Sequence, residues 1–201
     1  MPLLAIESAL TGCSVAIAKG EKILAFGKDD KLSGQAASLV PLIEKVMREA
    51  GLTFGELQKI IVTCGPGSFT GIRIGLATAQ ALGFASGVKV QCLTTLAAAA
   101  VRAHRKYADA SRILAQLPAG KGELYTQVFE HLRAESEPAL LTPEAAEALG
   151  KTCHAVAAEA PDARDVAWLA AQKEAAFLLA EPFYIRPPDA KPAKPLAARA
   201  Q

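Results

Sequence analysis

Residues 57–87, LQKIIVTCGPGSFTGIRIGLATAQALGFASG, constrain the fold more than any other stretch. The β-branched run Ile60, Ile61 and Val62 predicts a buried strand, which enters glycines at once and leaves as a helix over 70–86. Such a turn aims backbone N–H groups and the positive end of the helix at one point. It is a phosphate cradle, a capped turn or the edge of a docking surface. No Lys follows the glycines, so Gly65, Pro66, Gly67, Ser68, Phe69, Thr70 and Gly71 are not a P-loop, and their spacing misses the dinucleotide fingerprint by one residue. Ser68 or Thr70 is the expected helix cap, and Arg73 is the lone charge that follows. On these residues alone, cap and ligand loop both stand.

The helix itself is apolar almost all round. Gly71, Gly75, Ala79 and Gly83 recur every fourth residue as a smooth stripe, while Ile72, Ile74, Leu76 and Phe84 cover other faces. A helix of this kind must be buried on nearly every side. One sheet covers one side, and a Gly/Ala stripe lets another helix come close. The helix expected over 36–50, with Leu39, Leu42, Ile43, Val46 and Met47 at helical spacing, is its neighbour within the chain; what then stays uncovered suits a partner subunit. Leu39, Leu42, Ile43 and Val46 together with Ile72, Gly75, Leu76, Ala79 and Gly83 are therefore expected to form a partner interface, with cover by the chain's own second half as the alternative. Pro41 is expected in the first turn of its helix.

Before that helix lie β-prone runs at 3–6, 14–18 and 23–26, the last two joined by a Gly20 turn. A strand at 88–93 and an alanine-rich helix over 94–104 follow, giving the order of a mixed sheet with helices on its faces. From residue 111 the pattern restarts in shorter form: strands at 111–117 and 123–132, a Thr142-capped helix with Pro143 at its first position, and one long helix over 163–179 with Val166, Leu169, Ala170 and Phe177 on a face. Three segments are expected: a first lobe over 1–106, a smaller lobe over 107–188 and a basic tail over 189–201, which is either simply solvated or touches an anionic partner.

Charge and chemistry narrow the functions. Twenty-two Lys and Arg against 20 acids leave a net charge of +2, too little for a nucleic-acid-binding surface by itself. The opening lacks a basic leader and no apolar run is long enough for a membrane span, so a cytoplasmic protein is expected. Cys13, Cys64, Cys92 and Cys153 lack any C-x-x-C pairing and read as small buried hydrophobes. His104, His131 and His154 have no metal-ligand spacing. Ser8, Thr11 and Ser14 have no partner base. Glu7, at the end of the first strand, is the one acid placed where a sheet enzyme holds Mg²⁺ and phosphate. No catalytic residue and no metal site is expected, and the rival reading is a small ATPase or phosphotransferase that uses Glu7 and the Gly-rich loop.

The segments LLAIESALTGCSVAI, CGPGSFTGIRIGLATAQALGFASG, TTLAAAA, GKGELY and PFYIRPP together resemble the TsaB (YeaZ) family, the dimerisation subunit of bacterial tRNA threonylcarbamoyladenosine synthesis. The resemblance implies an actin/Hsp70/sugar-kinase-like, ribonuclease-H-like α/β fold of two lobes, the second reduced. It implies a non-catalytic subunit that binds the catalytic paralogue TsaD and works with the ATPase TsaE. The reaction is threonylcarbamoylation of the adenosine beside the anticodon in tRNAs reading codons that begin with A. The first two helices are the partner surface in that family, and a homodimer through the same helices is the alternative state of the isolated chain. No cofactor is required by the chain itself; ATP or ADP with Mg²⁺ is a candidate ligand of the complex, with Glu7 nearest to it. The family usually has Asp where Glu7 stands, a His where this chain reads SGQAAS, and Asp and Arg where it has Pro118 and Gly120, which weakens any case for nucleotide hydrolysis. With so small a net charge, the isolated chain is expected to bind tRNA weakly, most of the basic surface coming from the complex. Tight, salt-dependent retention of tRNA by the pure chain in a filter assay would contradict this.

Overall fold

The computed structural model describes residues 1–31, 34–107 and 109–186; the expected basic tail lies outside the described residues. Strands β1 (Pro2–Glu7), β2 (Cys13–Lys19) and β3 (Lys22–Asp29) form an antiparallel meander, and β4 (Lys59–Thr63) and β5 (Lys89–Leu93) extend it in parallel on the β1 side, giving the order β3-β2-β1-β4-β5. Successive side chains alternate between faces. Leu4, Ile6, Ile60 and Val62 meet helices α1 (Gln35–Ala50) and α2 (Phe69–Ser86). Leu3, Ala5 and Ile61 meet α3 (Thr95–Lys106) and α5 (Ala163–Ala170) on the other face.

A second sheet follows, built on the hairpin of β6 (Arg112–Gly120) and β7 (Glu123–Glu130). The short strands β8 (Arg133–Ala134) and β9 (Ala139–Leu141) and the edge strand β10 (Ala155–Ala157) complete it, with helix α4 (Pro143–Gly150) beside it. Helix α3 lies between the sheets: Ala98 and Val101 join the core of the first, Leu96, Ala99, Ala100 and Ala103 that of the second. Its alanine run thus has a packing reason, since small side chains on both sides let two sheets share one helix. The first sheet's strand order, with its antiparallel meander and two parallel strands, is that of a ribonuclease-H-like core.

Three expectations are corrected. Pro41 sits in the second turn of α1 rather than the first; the carbonyl that its missing N–H leaves free belongs to Ala37, which is exposed to water. The helix expected over 163–179 stops at Ala170. Gln172 turns its side-chain amide back onto the Trp168 carbonyl at 3.2 Å, and Leu178 instead pairs antiparallel with Cys92 on the open edge of β5. Unpaired edge groups of a sheet compete with the helix for the chain.

The third correction concerns direction. Leu39, Ile43, Val46, Ile72, Leu76 and Ala79 are all at most 4% exposed, and Leu42 packs over Gly27 of β3. These residues and the Gly/Ala stripe pack against the chain's own sheet. The cause is the close approach of α2: a Cβ on Gly75 would stand 2.2 Å from Ser8 Oγ, and one on Gly83 2.4 Å from Val90 Cγ2. A large residue at Gly75 therefore unfolds the lobe before it tests any interface. Even Gly75→Ala is expected to cost about 1–3 kcal/mol by overpacking, measured as a lower urea midpoint at unchanged slope. An unshifted midpoint would contradict this packing.

Candidate functional site

The Gly-rich turn from Cys64 to Ser68 is consumed by contacts within the chain. Ser68 N–H donates to Ala9 O at 2.6 Å, Thr95 N–H to Gly65 O at 2.7 Å and Phe183 N–H to Cys64 O at 2.8 Å. The Gly65–Pro66 peptide is cis. Ser68 caps α2 by accepting from Gly71 N–H at 3.2 Å, so the cap reading holds and Thr70 is not the cap. Beneath it Ser8 Oγ donates to Gly71 O at 3.0 Å. Gln35, at the start of α1, holds the β1–β2 turn by donating to Leu10 O at 3.0 Å and also to Gly12 O.

Between this turn and the second sheet lies an open cleft of about 350 Å³, walled by Ala9, Leu10, Thr11, Gln35, Gly67, Ser68, Pro118 and Ala160. Among the described residues no charged side chain lines it, and its Gln35 amide nitrogen is spent on the two carbonyls. Glu7 ends β1 nearby but is 3% exposed. Its Oε1 accepts from Ala9 N–H at 2.8 Å. Burial pushes its carboxyl up to about 8, against the backbone hydrogen bonds from Ala9 and Leu10, with Asp162 adding to the rise. The Thr63 hydroxyl pulls it slightly down without reaching hydrogen-bonding geometry. A carboxyl that is buried, accepts from its own turn and does not line the cleft does not fit the role of a Mg²⁺ ligand there, and no cluster of three metal-binding side chains occurs among the described residues. The residues present therefore do not fit a metal–nucleotide site on Glu7.

The remaining candidates have structural work. Ser14 Oγ accepts from Ala163 N–H at 2.9 Å, anchoring α5. His154 Nδ1 accepts from Arg112 N–H at 3.2 Å, and His104 tilts against Trp168 with centroids 6.1 Å apart. Thr11 stays exposed at the cleft, as does Ser68.

The other face of the α1/α2 layer is different in kind. Helix α1 lies over β2 and β3, α2 over β4 and β5, so both present an outer side to solvent. Val40 is 44% exposed and Phe84 94%. Between them run Ala37 and Pro41 of α1 and Ile74, Ala77 and Ala81 of α2, all exposed or half-buried. Among the described residues nothing packs over these apolar side chains.

The family model described as "TsaD: tRNA N6-adenosine threonylcarbamoyltransferase" matches residues 35–190. The tRNA threonylcarbamoyladenosine biosynthesis protein TsaB of Escherichia coli K12 is 31% identical over 150 residues, 72% of this chain and 64% of that protein. The chain belongs to this family, in its TsaB (YeaZ) branch. TsaB of Buchnera aphidicola from Schizaphis graminum is 34% identical over 123 residues, 61% of this chain. The chain thus spans 58% of the length of that relative and 64% of the Escherichia coli one. The structure of YeaZ from Pseudomonas aeruginosa superposes with a TM-score of 0.77 at 26% identity, over 92% of this chain and 99% of that one. Among the described residues no helix is long and apolar enough to cross a membrane.

This TsaB-branch chain keeps a pH signature in Glu7. Because its folded value lies near 8 and its ordinary value is 4.5, the folded state holds the proton more tightly. Its contribution to stability is full below pH 4.5 and is lost as pH rises toward 8, at about 1.4 kcal/mol per pH unit. Glu7→Gln keeps an acceptor for Ala9 N–H and cannot ionise. The stability difference between Glu7→Gln and wild type is expected to grow in favour of the variant from pH 5 to pH 8 in urea titrations, and a difference constant with pH would refute the buried neutral acid.

Proposed function

We propose that this chain is a non-catalytic scaffold subunit in the synthesis of threonylcarbamoyladenosine on tRNA. In this reading it works in the cytoplasm, docks a TsaD-like catalytic paralogue and cooperates with a TsaE-like ATPase. The observation that carries the proposal is the uncovered apolar surface made by Ala37, Val40 and Pro41 of α1 with Ile74, Ala77, Ala81 and Phe84 of α2. It lies on the two helices that serve as the partner surface in the resemblance, but on the side opposite to the Gly stripe. The burial of Glu7 against its own turn supports the non-catalytic half of the reading, as does the lining of the cleft, where among the described residues no nucleophile is paired with a base and no carboxylate is free for Mg²⁺.

The test is light scattering behind a sizing column, on the chain alone and mixed with the TsaD-like paralogue of the same organism. A heterodimer peak is expected in place of monomer or homodimer. Ala77→Arg puts a long cation at the middle of the outer face and is expected to weaken that pairing at least tenfold. Its stability stays within about 0.5 kcal/mol, because position 77 touches solvent. Unchanged pairing in this variant would remove the outer face from the interface, and ATP turnover by the pure chain that disappears in Glu7→Gln would favour the phosphotransferase reading instead.

A further inference from the structure

Residues 178–186 run as a strap across the first sheet and on to the second. Leu178 is bonded to Cys92 in both directions, at 2.9 and 3.1 Å. Gln80 Nε2 on α2 donates to Ala180 O at 2.7 Å, and Phe183 N–H donates to Cys64 O, its own carbonyl filling the place where a Cβ on Gly65 would sit. Tyr184 then stacks on Phe69, centroids 5.2 Å apart. Arg73 covers the other partner of that pair, its guanidinium 3.7 Å from the Phe69 ring centre and its Nε donating to Tyr184 Oη at 3.2 Å.

One residue later the strap changes sides. Phe183 and Tyr184 pack against the core under α1 and α2, whereas Ile185 packs into the core of the second sheet. Arg186 donates to Ala119 O at 3.1 Å and pairs with Glu123, which grips both ends of the β6–β7 turn. Pro118 of the same hairpin walls the cleft. Yet no residue of the strap is fully buried, while Cys64 and Cys92 beneath it are completely so. A segment held by a few peripheral contacts over a dry floor opens at a lower free energy than the body it covers.

We propose that this strap is a latch that joins the α2 docking face to the cleft: closed, it holds the β6–β7 turn against the Gly-rich loop, and a partner seated over the first turn of α2 keeps it closed. The first half of the proposal concerns the free chain. The second rests on the docking reading above, because Phe69 and Arg73 belong both to the latch and to that end of α2.

The chain carries its own reporters. With iodoacetamide on the intact full-length protein and peptide-resolved mass spectrometry, Cys64 and Cys92 report latch opening and half-buried Cys153 reports dose. Cys13, buried under α1 and away from the strap, reports global unfolding. Tyr184→Ala and Arg186→Ala are each expected to raise alkylation of Cys64 and Cys92 about tenfold with Cys13 unchanged, as loss of one stacked ring or one charged anchor implies. Added paralogue is expected to slow both cysteines in the wild type. Rates unchanged in both variants, or rising together with Cys13, would overturn the latch. A complex visible by light scattering with unaltered rates would overturn the coupling but leave the docking reading intact. Absence of any complex would overturn the docking reading and the coupling with it, and the two variants would still decide the latch.

Discussion

The closeness of α2 to the end of β1 governs the rest of this structure. Ser8 Oγ reaches the Gly71 carbonyl at 3.0 Å, and a Cβ on Gly71 or Gly75 would fall 2.1 or 2.2 Å from atoms of Ser8. A hydrogen bond thus replaces the usual layer of interlocked side chains between helix and sheet. With the helix drawn in this far, Ser68 can donate its N–H to Ala9 and cap α2 with its hydroxyl at the same time. The Gly-rich turn is then fixed from both sides, and Phe69 and Arg73 are set at the height where the closing strap passes. Removing the Cβ atoms is therefore a requirement of packing, and the turn owes its glycines to this approach more than to a ligand.

Glu7 follows from the same geometry. An acid at the end of a central strand, buried on every side, stays charged only if an opposite charge or several donors reach it. Here the carboxyl finds the backbone N–H groups of Ala9, at 2.8 Å, and Leu10 and the negative field of Asp162, and among the described residues no cation is recorded in contact with it. Neutralisation is the cheaper solution, and the acid becomes an internal cap for the turn that follows it. The longer glutamate side chain is well suited to fold back onto the N–H two residues on. Asp162 is settled differently: Arg102 and Arg164 both bond it, at 2.6 and 2.7 Å, and its charge is retained. Two acids near one another are thereby separated into a neutral one and an ion-paired one.

Much of this was legible in the sequence, and the misses have a common origin. The β-prone runs of β1, β2 and β4, the caps at Ser68 and Thr142, the helical spacing of α1 and the alanine run of α3 depend on neighbours within one element, and they are observed. What failed depended on partners distant in sequence. Periodicity located the Gly/Ala stripe but not its direction, because a helix apolar all round carries no polar face to orient it. The helix expected through Leu179 ends at Ala170, and its far end went to the edge of β5, 86 positions away in the bridge of Cys92 with Leu178. Gln35 stood in a stretch already noted for lacking a family histidine, yet its grip on Leu10 and Gly12 has no local signature. The latch residues Tyr184 and Arg186 were visible as part of PFYIRPP, and only the fold shows that their side chains meet Phe69 and Glu123.

The composition of α2 can be argued from its two sides together. Glycine stands at 71, 75 and 83, where even a methyl group would strike Ser8 or Val90. Alanine stands at 77, 81 and 85, which point outward. Glycine in a helix interior costs about 1 kcal/mol relative to alanine, so it is placed where packing forces it and the outward stripe uses the best helix former that still keeps the surface low. Leucines there would cover the surface no better in the free chain and would hold a second helix further off. A low alanine ridge between Ile74 and Phe84 instead leaves room for close helix packing at the typical 8–10 Å. The two stripes share a period and differ in cause: the inner one is set by the chain's own sheet, and the outer one, at alanines exposed to solvent, is set by helix propensity and leaves the surface low.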